Sequence, residues 1–156
     1  MRPLALVVLL AHCLAAADPD PVAWKLERAA PVPVKAGATF SVKVVAHLQE
    51  GWHMYSMKLI EGGPFPTRVW IPENQQFQQA GAIRSEAPRT MMDQSLGMEV
   101  EVYEGAATFT VPVKVAAGTG SGAANLVFNT SYQTCNASLC LPPKTVNVQT
   151  RVTVVK

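Results

Sequence analysis

The chain has 156 residues, 49% of them apolar and only 15% charged, and a formal net charge of +2. That length suits one globular domain, at roughly 150 residues per domain, and the composition excludes a disordered or low-complexity chain. Lysines and arginines are scattered rather than clustered, so the charge pattern excludes nucleic acid and anionic membrane surfaces as partners.

In chain order, residues 1–17 read as a secretory signal: Arg2, an apolar run from Leu4 to Ala11, and a small-residue cleavage site at Ala15-Ala16-Ala17 ahead of Asp18. The run falls short of the ~20 apolar residues that a membrane span needs, and no later segment approaches that length. Cys13 leaves with the signal, since His12 before it is not the small residue that precedes an acylated cysteine. The expected mature domain, residues 18–156, is therefore exported, soluble and periplasmic. It keeps two cysteines, Cys135 and Cys140, and such a pair in an oxidising compartment is a disulfide by default.

Period-two alternation dominates the rest of the chain, and no long stretch keeps a helical period. Val22, Trp24 and Leu26 alternate first, followed by Phe40, Val42, Val44, Ala46 and Leu48. Further strands are expected over Arg68 to Ile71, Glu99 to Tyr103, Ala107 to Val115, Ala124 to Tyr132 and Thr145 to Val154. Phe109, Val111, Val113 and Val115 form one inward face, and Val146, Val148, Val152 and Val154 another. About seven short strands without intervening helices predict an all-β, immunoglobulin-like antiparallel β-sandwich. Pro112 places its strand at an edge or a bulge, because proline cannot donate to a ladder. Asn74 to Gly97 has no clean period and reads as a long loop able to pack over something.

The chemistry concentrates in the segment Tyr132-Gln-Thr-Cys135-Asn-Ala-Ser-Leu-Cys140-Leu-Pro-Pro143. If the strand ending near Cys135 turns back after Cys140, the cysteines face each other at about 4.5 to 5.5 Å between Cα atoms, within reach of a disulfide. So small a ring stabilises the fold by only about 2 kcal/mol on the loop-entropy relation. Two readings follow: a structural bridge that pins a hairpin, or an exchangeable disulfide. Pro142 and Pro143 serve either one by stiffening the strand entrance and removing donors from an open edge.

The string YQTCNASLCLPPKT, with the upstream GWHMYS and GGPFPT, resembles the periplasmic N-terminal (alpha) domain of the thiol:disulfide interchange protein DsbD over nearly the whole expected mature chain. The resemblance implies an immunoglobulin-like fold. It also implies a relay of electrons from a thioredoxin-like donor to periplasmic disulfide isomerases or cytochrome c maturation thiols. On the family pattern Cys140 forms the mixed disulfides and Cys135 resolves them, with no cofactor and no metal. Two departures stand out. The loop between the cysteines is one residue shorter than in the best-known members. The cap loop that shields the cysteines there, two acids followed by two aromatics and a glycine, aligns with Asp93-Gln-Ser-Leu-Gly97. Asp93 and Gly97 match, whereas Gln94 replaces an acid and Ser95 and Leu96 replace aromatics, so a more accessible bridge is expected. Tyr132 opens the cysteine string and is expected to support it.

The full-length family protein continues into membrane and thioredoxin-like domains, whereas this chain stops at Lys156 and has no Cys-x-x-Cys motif. Its thioredoxin-like donor and acceptor are therefore expected to be separate polypeptides, and the domain a monomer. The competing reading is a non-catalytic immunoglobulin-like interaction domain. His53 reads as a hydrogen-bonded structural residue; the alternative is a Cu(I) site with Met54, Met57, Met91, Met92 and Met98, whose thioethers and imidazole suit that metal. No Ser-His-Asp order or phosphate-binding glycine loop is present, which excludes hydrolase and nucleotide readings.

Overall fold

The computed structural model describes residues 20–28 and 33–156; the expected signal segment and Cys13 lie outside the described residues. In chain order the strands are β1 (Val22–Arg28), β2 (Val34–Lys35), β3 (Thr39–Leu48), β4 (His53–Tyr55), β5 (Arg68–Trp70), β6 (Phe77–Gln79), β7 (Arg84–Ser85), β8 (Arg89–Asp93), β9 (Met98–Glu104), β10 (Ala106–Val115), β11 (Gly122–Tyr132), β12 (Thr134–Cys135) and β13 (Lys144–Val155). No helix occurs among the described residues.

Two sheets make the sandwich, one ordered β1-β3-β10-β6 with β7 also on β10, the other β2-β13-β11-β5. Every pairing is antiparallel except that of β2 with β13, which is parallel. The alternating positions fill the space between the sheets: Val42, Val44, Ala46, Phe109, Val111, Val113, Leu126, Phe128, Val152 and Val154 are all buried. A fully buried side chain of this size stabilises by about 1.5–3 kcal/mol relative to an exposed one. Val146 and Val148, expected on the same face as Val152 and Val154, are only half-buried.

A third sheet, ordered β12-β4-β9-β8, carries the cysteine hairpin at one end of the sandwich. Its inner cluster of Tyr55, Val100, Val102 and Cys135 is separate from the main core. The stretch 74–97, read from sequence as irregular, supplies β6, β7 and β8. Those strands run two to five residues, too short for alternation to register.

Pro112 sits in an interior strand, β10, rather than at an edge. β6 pairs with Val113–Val115 and β7 with Phe109–Thr110, which leaves a gap opposite Pro112. Its carbonyl accepts from the Ala80 N–H at 2.8 Å, and the nitrogen of a strand residue points the same way as its carbonyl. The missing donor thus faces the break between two short strands, where no ladder bond is lost.

Candidate functional site

Cys135 and Cys140 are disulfide-bonded, with Cα atoms 4.0 Å apart, and form a one-residue antiparallel bridge. The loop between them is organised by Asn136. Its Oδ1 accepts from the N–H of Ser138 at 2.9 Å and of Leu139 at 2.8 Å, and its own N–H donates to the Leu139 carbonyl at 2.8 Å. Asparagine is suited to this because its short side chain mimics the backbone of a turn. Below the cysteines, Leu141 N–H donates to the Thr134 carbonyl at 2.9 Å.

The two sulfurs differ in environment. Cys135 is 1% exposed, held on β12 against β4, whereas Cys140 is exposed at the hairpin's outer arm. A cleft of about 440 Å³ joins both cysteines to His53, Met91, Met92 and Asp93. Met92 and Leu139 are large apolar side chains left exposed beside it.

Tyr55, buried on β4, meets the groups of this cleft from beneath rather than lining it. Its hydroxyl donates to Asp93 Oδ2 at 2.6 Å and lies 3.1 Å from Cys135 Sγ and 4.0 Å from Cys140 Sγ. Burial, together with the bond to the Asp93 carboxylate, pushes the phenol well above its ordinary range, so it stays protonated. Burial by itself would raise the Asp93 carboxyl. Hydrogen bonds from Ser95 Oγ, Tyr55 and the N–H groups of Leu96 and Ser95 overcome that and hold it below its usual 3.8. Three of these converge on Oδ1, at 2.6 Å from Ser95 Oγ, 2.8 Å from Ser95 N and 3.1 Å from Leu96 N. Gly97 completes the turn at φ 63°, a conformation costly for a side chain with a Cβ, and its N–H donates to the Asp93 carbonyl at 2.8 Å.

The residues singled out from sequence therefore divide. Cys135, Cys140, Asp93 and Gln94 line one cleft. Leu96 lies on the same turn, is 42% exposed, and contributes its backbone N–H rather than apolar cover. Tyr132 stands apart: it is buried against Trp24, with ring centroids 5.3 Å apart, and donates to Asp20 Oδ2 at 2.6 Å. Asp20 also pairs with Lys144 at 2.8 Å, so Tyr132 braces the strands behind the hairpin. Its support for the cysteines is indirect. Of the methionines weighed with His53 for Cu(I), Met91 and Met92 line the cleft with it, whereas Met54 is buried in the main core and Met57 packs against that core. Tyr55 was not singled out, although GWHMYS contains it; its contact with Cys135 spans 80 residues of chain.

Fold and site together define an immunoglobulin-like β-domain carrying a half-exposed disulfide on a short hairpin. The profile of the family described as "Thiol:disulfide interchange protein DsbD, N-terminal" matches residues 23–151, and the chain belongs to that family. The DsbD N-terminal domain of Neisseria meningitidis in its reduced form is similar in structure, with TM-score 0.50 and 20% identity over 76% of this chain and 80% of that one. The N-terminal periplasmic domain of ScsB from Proteus mirabilis gives TM-score 0.48 and 18% identity over 86% of this chain, which spans about half of it, 49%. No curated protein sequence matches this chain. Among the described residues, no helix is long and apolar enough to cross a membrane.

Proposed function

We propose that this domain is a periplasmic thiol:disulfide exchange module that relays electrons through Cys135 and Cys140 between thioredoxin-like proteins. The unequal exposure of the two sulfurs carries the reading. An incoming partner thiolate can attack exposed Cys140 Sγ, forming a mixed disulfide there. The Cys135–Cys140 bond then breaks and its electron pair leaves on the buried Cys135 sulfur. Thiolate attack and departure are the whole of this chemistry, and no cofactor enters it. The signal expected at residues 1–17, removed to leave 18–156, would deliver the domain to the compartment where such partners work.

The equilibrium reduction potential of the pair, measured by thiol trapping in glutathione and dithiothreitol buffers, tests the proposal. A value between about −180 and −270 mV is expected, the range of redox-active proteins. A value below about −300 mV would make the bridge a structural staple, and the domain an interaction module.

A further inference from the structure

At this site His53 has an unmet bonding capacity. Its Nε2 is buried and has no hydrogen-bond partner among the described residues, the disulfide-bonded Cys135 sulfur included, and the whole residue is only 8% exposed. Buried polar atoms are ordinarily paired, so an orphan at a reactive centre calls for an explanation. Strand register sets His53 directly opposite Cys135 on one flank and Glu104 on the other. Directly opposed residues of an antiparallel pair project from the same face with Cβ atoms about 4.5–5.5 Å apart. Tyr55, two residues on, shares that face: it touches Cys135 Sγ at 3.1 Å and packs edge-on to the imidazole at 5.6 Å.

The charged groups around His53 come from two strands, β8 and β9. Glu104 on β9 is bonded to Arg89 on β8 at 2.6 and 3.0 Å, and Asp93 ends β8. Burial pulls the imidazole below its usual value, Asp93 and Glu104 raise it and Arg89 lowers it, with burial dominant. Burial thus favours the neutral ring, whose Nε2 lone pair is open in the tautomer that carries its proton on Nδ1. Tyr55 is less available, because its single proton is committed to the Asp93 carboxylate at 2.6 Å, a charge-assisted bond.

We propose that His53 is the proton partner of Cys135, taking the proton of the Cys135 thiol as that sulfur attacks and returning it when the sulfur leaves. This rests on the exchange reading above. In the resolving step, the Cys135 S–H bond breaks, its proton goes to His53 Nε2 and its electron pair forms the Cys135–Cys140 bond. The bond between Cys140 and the outside sulfur breaks, and the outside group departs as a thiolate. The imidazolium then loses its proton to water.

The test follows the reduced protein reacting with 5,5′-dithiobis(2-nitrobenzoate) in a stopped flow. The first coloured thiolate reports attack by Cys140, and the second reports resolution by Cys135. In His53→Gln the second phase is expected to slow by about tenfold or more at neutral pH and to lose an inflection in its pH profile, while the first phase is unchanged. A folded His53→Gln whose second phase matches the wild type overturns the proposal. The wild-type protein supplies an independent measurement: because coupling between two titrating groups is reciprocal, the NMR titration midpoint of His53 is expected to differ between oxidised and reduced forms. Identical midpoints overturn the proposal even if the variant does not fold. If the wild type releases only one thiolate per protein, the exchange reading itself falls, and the role of His53 with it.

Discussion

Tyr55 joins the two halves of the site, since one hydroxyl meets both a buried carboxylate and a sulfur. A hydrogen bond to a charged group contributes about 1.5–3 kcal/mol, so Tyr55→Phe is expected to cost the oxidised protein about that much at neutral pH. The pH dependence follows from Asp93. Its folded-state pKa is depressed, so its stabilising contribution is present above the unfolded value and is lost as pH falls through the folded one. Tyr55→Phe removes part of that depression. The difference between variant and wild type should therefore narrow between about pH 7 and about pH 3. Urea denaturation at both pH values measures it, and an equal gap at each would mean that Tyr55 acts by packing alone.

The hairpin and the turn facing it are short elements whose order comes from side chains bonding to backbone. In Asn136→Ala the loop loses two acceptor contacts, and the reduced form gains more freedom than the oxidised form, which the disulfide still closes. The dithiol is then favoured. If those contacts are worth about 1 kcal/mol, the reduction potential rises by roughly 20 mV, and a fall would show that the loop strains the bridge. Leu139, 54% exposed at the tip of the same loop, borders the path to Cys140. Leu139→Asp is expected to slow exchange with a thioredoxin-like protein by about tenfold, the effect of roughly 1.4 kcal/mol in an apolar contact. Exchange with a small aromatic disulfide should keep its rate, and equal slowing of both would point to a damaged hairpin. Elements of this size are also where sequence reading stops short. The long strands β3, β10 and β11 show their alternation plainly, and Cys135, Cys140 and Asp93 stand in recognisable strings. The Tyr55 to Asp93 bond, by contrast, joins residues 38 apart in the chain. It exists because β9 pairs with both β4 and β8, a register that three- and five-residue strands do not announce.

In the whole molecule, the disulfide belongs to a small cluster apart from the main core. The main cluster runs between the two large sheets through Phe109, Val111, Leu126 and Phe128, while Cys135 belongs to the smaller cluster with Tyr55, Val100 and Val102. A ring closed over so few residues contributes about 2 kcal/mol, against a total of about 5–15 kcal/mol for a domain of this kind. Reduction should lower the guanidinium midpoint slightly and leave the β-sheet circular dichroism at 25 °C unchanged. Phe109→Ala, by contrast, empties a fully buried position packed against Trp24 and Tyr103. It is expected to cost about 3–5 kcal/mol in either redox state. The comparison decides what the bridge is for. Under the proposed exchange function the domain passes through its dithiol form on every cycle and has to stay folded in it, which a disulfide set outside the main cluster favours. Loss of the native spectrum on adding dithiothreitol would mean that the small cluster is the keystone of the sandwich, and a protein that unfolds when reduced cannot relay electrons.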